Sequence, residues 1–215
     1  MKLWLKQNFL LVEWLLGAFV CTLALVVWID ERSIGKEALG VYDLFPVFGL
    51  LAFGLMWSHY TFGSLRRMLG RKKVAHDSYW VVSSGIVLAL IVLHPLLLNY
   101  GLIRDGLGLP PASYASAYGG DAVYLLLGTT ALFIFLSYEL HRWFKDRNWW
   151  RYIEWAQILA MVLIFIHGTN LGRETAEGWY RVFWWLLGLT LLLSWVYNWR
   201  YDKHIHDRRE RGVEE

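Results

Sequence analysis

Two histidines stand where an imidazole has little to do except bind something. His94 closes the run Val87-Leu88-Ala89-Leu90-Ile91-Val92-Leu93, and His167 closes Leu163-Ile164-Phe165-Ile166. Both runs read as membrane helix, and a metal-ligating side chain inside a bilayer is costly enough that its default reading is functional. Imidazole suits iron in a porphyrin, where two axial histidines give a six-coordinate electron-transfer heme. The plainer reading is two unrelated core histidines, each bonded to a backbone carbonyl.

A heme shared by two helices needs its ligands at one depth. The third apolar span starts near residue 79 and the fifth near residue 151. Each histidine therefore lies about 15 residues in, roughly 22 Å at 1.5 Å per residue. With both helices running outward, the two rings reach nearly the same level in the outer half of the membrane. Pro95 is expected to loosen its helix and free a carbonyl of the preceding turn as an acceptor for the His94 ring. Gly168 offers a flat macrocycle room to approach the backbone.

The elements that carry these residues follow from composition. Of 215 residues, 57% are hydrophobic, and the apolar runs are long enough to cross a bilayer at about 20 residues each. The fold expected is an all-α integral membrane protein. Its six transmembrane helices lie at about 8–28, 41–63, 79–100, 121–144, 151–170 and 178–200, in one domain over 1–200, followed by a charged cytoplasmic tail at 201–215. The basic start Met1-Lys2-Leu3-Trp4 leads into an apolar stretch with no small-residue cleavage site, interrupted by Glu13, which reads as a retained first helix. The loop from Gly101 to Gly120, with Pro110-Pro111, is the longest and has room for a small substructure.

Lysine and arginine sit before the first span, between the second and third, between the fourth and fifth, and after the sixth. Arg66, Arg67, Arg71, Arg142, Lys145, Arg147, Arg200 and Lys203 mark these basic segments. Such alternation places both termini in the cytoplasm and the chain as a multi-pass protein of the plasma (bacterial inner) membrane. Most of the 14 tryptophans gather near predicted helix ends, where an indole anchors at the headgroups. Cys21 is the single cysteine, which excludes an intrachain disulfide, a thiolate-rich metal site and an iron–sulfur cluster. Nothing in the chain points to nucleic acid. His59 and His141, near the cytoplasmic ends of the second and fourth spans, form a second candidate pair that would make the heme count two; headgroup contact or hydrogen bonding is their plainer role. His76, His204 and His206 read as solvated.

Six helices with histidine ligands on the third and fifth resemble the ferric-reductase-like transmembrane domain, the family of NADPH oxidases, STEAP metalloreductases and the bacterial heme subunit MsrQ (YedZ). Local wording supports the likeness over roughly residues 40–200. His76-Asp77-Ser78-Tyr79 leads into the helix ending at His94. Leu140-His141-Arg142-Trp143 through Trp149-Trp150-Arg151-Tyr152 leads into the helix ending at His167. Two-heme members carry a second histidine below each outer ligand, and here the matching positions hold Trp80 and Glu154. The resemblance thus implies a single-heme member.

The function expected is that of a b-type heme protein that moves electrons one at a time toward the outer face, either an oxidoreductase or the heme subunit of one. Arg104 and Arg173, just outside the ligand helices, are candidates to bind heme propionates or an anionic acceptor, with exposed loop arginines as the alternative. Asn99, Tyr100 and Asn170 are near enough in sequence to shape the same outer site. Glu154 either pairs with Arg151 or Arg147 or takes a proton from a bound quinol. No Gly-rich dinucleotide fingerprint occurs, so the donor is a separate flavoprotein or membrane quinol, and the acceptor a metal ion, dioxygen or a soluble reductase. With one outer heme, a quinone, a bound flavin or aromatic residues such as Trp80 must bridge the inner half. The rival class is a non-redox membrane transporter or assembly subunit that uses its intramembrane histidines for metal or proton binding.

Overall fold

A computed structural model describes residues 4, 7–31, 39–71, 78–138, 147 and 149–210. Every regular element among the described residues is helical: α1 (Phe9–Asp30), α2 (Val41–Met68), α3 (Ser78–Arg104), α4 (Ala112–Tyr118), α5 (Ala122–Tyr138), α6 (Trp150–Leu171), α7 (Arg173–Ala176) and α8 (Gly178–Glu210). A single 3-10 turn, Gly119–Asp121, joins α4 to α5. The long helices share one physical reason. Runs of leucine, valine, isoleucine and alanine expose no polar side chain, and a helix satisfies its own backbone polar groups where water is absent.

Among the described residues, five helical segments are long and apolar enough to cross a membrane: Phe9–Asp30, Val41–Met68, Ser78–Arg104, Ala112–Ser137 and Gly178–His204. The fifth predicted span is present as α6, but its apolar part, Trp155–Leu171, is shorter than these. The long loop does hold a small substructure, α4 with its 3-10 turn. Three helices run past their expected ends: α2 continues to Met68 and takes Arg66 into the bundle, α3 continues to Arg104, and α8 continues into the predicted tail as far as Glu210. His141, like most of the basic segment before α6, lies outside the described residues.

The outward faces are apolar. Val182, Leu189, Leu192 and Leu193 of α8 are each at least half exposed, as are Leu11, Leu15 and Phe19 of α1. Patches of this extent do not persist on a soluble monomer and match a lipid surround. α2 is the most buried of the five spans and occupies the centre, against α1, α3 and α8. The main core joins Val20 and Ala24 of α1, Phe53 and Met56 of α2, Met161 of α6, and Tyr180 and Trp184 of α8. A smaller core of Leu98, Leu102, Tyr114 and Leu125 seals the end where Arg104 lies. Two helix pairs frame the histidines: α3 lies along α2, and α6 lies along α5.

A candidate heme-binding site between alpha3 and alpha6

His94 projects from α3 and His167 from α6, and their ring centroids are 6.2 Å apart with planes at 85°. An imidazole nitrogen binds a first-row metal at about 2 Å, and the ring centre lies roughly 1 Å further back. Two rings on opposite sides of one ion therefore have centres about 6 Å apart. The observed separation matches that spacing.

Each ring bonds a backbone carbonyl. His94 Nδ1 lies 2.6 Å from the Phe45 oxygen, and His167 Nδ1 lies 2.8 Å from the Tyr124 oxygen. A carbonyl only accepts, so both Nδ1 atoms carry hydrogen and Nε2 is the nitrogen left for a metal. The two readings of these residues are thus one arrangement: they are bonded to carbonyls, and they also converge. The acceptor for His94 is not in the turn before Pro95 but across the interface in α2. A ring turned back onto its own helix would not face its partner.

The histidines line a cavity of about 410 Å³, within the range of sites that hold organic ligands. Phe53, Leu132, Phe135, Ile164 and Trp184 supply apolar wall, and Tyr42, Tyr114, Tyr118, Arg173 and Glu174 stand toward the end where α3 finishes. Trp184 is 2% exposed, packs its ring 4.3 Å from Phe53 and 5.4 Å from Phe165, and donates to Thr169 Oγ1 at 2.9 Å. Gly168 lines the cavity, but the space it leaves is taken by Trp184: a Cβ there would meet the indole at 2.7 Å.

The remaining predicted residues separate cleanly. Arg173, first residue of α7, lines the cavity mouth. Arg104 does not; its Nε donates to Asp105 at 2.9 Å and its guanidinium lies over Tyr42. Asn99 reaches the site through Tyr114, whose hydroxyl donates to Asn99 Oδ1 at 3.1 Å, while Tyr100 is exposed and Asn170 donates to its own helix at Ile166. Glu154 falls within α6, with its side chain outside the described residues. Glu174 was not foreseen; it is 6% exposed and lines the cavity beside Arg173.

Toward the other end of the bundle the space is filled. His59 Nε2 bonds Ser83 Oγ at 2.6 Å, and its ring stacks on Trp80 at 4.5 Å and 15°. The Trp80 Nε1–H points to Glu13 Oε1 at 3.4 Å, and Arg66 lies over its ring. The Tyr79 and Ser58 hydroxyls bond each other beside them. His59 and Trp80 do not line the cavity; Trp80 is packed between the His59 ring and the Arg66 guanidinium.

Two imidazole donors are too few for a bare structural ion, which takes about four protein ligands. Among the described residues no group of three His, Cys, Asp or Glu could hold one. A porphyrin brings four nitrogens of its own and needs only two from the chain. The donor set and the cavity between the rings both fit heme. No family model, curated protein or solved structure matches this chain.

Proposed function

We propose that the chain is a six-span, b-type heme protein with both termini cytoplasmic, ferric-reductase-like in plan, which passes electrons singly toward the outer face. The convergence of His94 and His167 on one cavity, each with Nδ1 bonded to a backbone carbonyl, is the observation that carries this reading. Heme, when bound, supplies a one-electron couple at iron.

The chain's own residues do the rest. His94 and His167 would hold the iron through Nε2, and their carbonyl partners would raise the basicity of both rings. Phe53, Leu132, Phe135 and Trp184 keep water from the apolar part of the cavity. Arg173 at the mouth offers positive charge for a carboxylate, and Tyr114 and Tyr118 offer hydroxyls. The basic segments around Arg67, Arg71, Arg147 and Arg200 support the cytoplasmic assignment of their end. That puts the cavity in the outer half. The donor is a separate flavoprotein or quinol, and the acceptor a metal ion, dioxygen or a soluble reductase at the outer face.

Colour tests this directly. Protein purified from heme-replete cells is expected to be red, to hold one heme per chain and to show a Soret band that shifts and sharpens on dithionite addition. A colourless, folded preparation would overturn the proposal in favour of a non-redox transporter or assembly subunit.

A further inference from the structure

The two imidazoles are held the same way by helices that carry no ligand. In α2, Gly49 follows four residues after Phe45, whose carbonyl bonds His94. In α5, Gly128 follows four residues after Tyr124, whose carbonyl bonds His167. A helical carbonyl points along the axis toward the residue four positions on, and the side chain there normally flanks it. Here that side chain is missing at both places, and the imidazole occupies its volume.

The fit is close. A Cβ on Gly49 would stand 2.9 Å from His94 Cε1 and 3.1 Å from its Nδ1. A Cβ on Gly128 would stand 2.6 Å from His167 Nδ1 and 2.8 Å from its Cε1. A Cβ is fixed to the backbone and cannot swing aside, so the ring would have to move off its carbonyl. By contrast, a Cβ on Gly85 of α3 meets nothing within 4 Å.

We propose that Phe45–Gly49 and Tyr124–Gly128 form two carbonyl–glycine notches, and that these position the ligands. Each notch admits one imidazole, holds it as the Nδ1–H tautomer and fixes its plane, so that α2 and α5 set the near-perpendicular relation of the rings. The opposite tautomer would set a nitrogen lone pair against the carbonyl oxygen, so each Nε2 is readied for a metal before any metal arrives. Gly49 and Gly128 are positioning residues, acting through the histidines. The tautomer part of the inference stands on the chain alone; the part that concerns iron rests on the heme reading.

Nitrogen NMR of apoprotein carrying ¹⁵N-labelled histidine reads the tautomer without heme. In the wild type, the signals removed by His94→Gln and His167→Gln are expected to be those of Nδ1–H imidazoles. Gly128→Ala is expected to shift the His167 signal and leave His94 alone, and Gly49→Ala the reverse, with Gly85→Ala silent. Alanine is the better helix former, so a lost tautomer is not a propensity effect. In heme-loaded protein, each notch variant is expected to move the low-spin ferric EPR spectrum away from the widely displaced g value of perpendicular axial rings. Nε2–H tautomers in the wild type, or unchanged signals in both folded variants, would overturn the notches. The wild-type measurement decides the matter even where a variant does not fold. Apoprotein with the expected tautomers that never takes up heme would instead sink the heme reading alone.

Discussion

Glu13 of α1 and Arg66 of α2 meet inside the bundle. The guanidinium donates to the carboxylate through Nε at 3.0 Å and through Nη2 at 2.6 and 2.9 Å, with Glu13 0% and Arg66 8% exposed. Removing one partner strands the other charge away from water. Glu13→Ala or Arg66→Ala is expected to cost about 3–5 kcal/mol, whereas the Glu13→Leu, Arg66→Met double variant is expected to be near neutral. Thermal unfolding in detergent checks this, and single variants as stable as the double would refute it.

On the proposed heme reading, loss of either His94 or His167 empties the site. His94→Ala and His167→Ala are each expected to abolish the Soret band with the helical circular dichroism kept. His59→Ala is expected to retain it, since that ring is held by Ser83 and Trp80 away from the cavity. Heme lost from the His59 variant alone would show the ligands to be misassigned.

The two arginines should behave differently. Arg173→Ala removes a charge from the cavity mouth and is expected to speed heme transfer to apomyoglobin about tenfold, the effect of roughly 1.4 kcal/mol. Arg104→Ala breaks only its contacts with Asp105 and Tyr42 and is expected to leave that rate unchanged. Equal effects from both variants would argue against Arg173 as the charge at the cavity mouth.

Asp105 lies just past α3, where the hydrogen bond from Arg104, and then that from Tyr42 at 2.8 Å, hold its carboxyl below the usual aspartate value. A lowered folded value means that its contribution is complete above the unfolded value of about 3.9 and disappears as pH falls through the folded one. Asp105→Asn should therefore leave the difference from wild type constant between about pH 5 and 8 and shrink it only in stronger acid. Melting curves across that range are the check.

Trp184 is the largest side chain in the cavity wall. Trp184→Ala is expected to destabilise by about 3–5 kcal/mol and to admit water beside the ligands. Trp184→Phe keeps an aromatic ring against Phe53 and Phe165, loses the bond to Thr169, and is expected to cost about 1 kcal/mol. Unfolding measurements separate the two; similar losses would mean that packing is not what the indole provides.

The positions of the long helices and the shared level of His94 and His167 were legible in the chain alone. Both follow from local quantities, the length of an apolar run and a fixed rise per residue, which need no knowledge of neighbours. Which polar residues meet came from the packing of one helix on another. Glu13 read as an interruption until Arg66, from another helix, lay against it. Arg104 and Arg173 were indistinguishable until one turned to Asp105 and the other to the cavity. Gly49 and Gly128 were hidden among 19 glycines, because an absent side chain has meaning only when something fills its place. Pairings of this kind arise from helix packing and rotation, and the periodicity of a single helix carries no record of which face its neighbour presents.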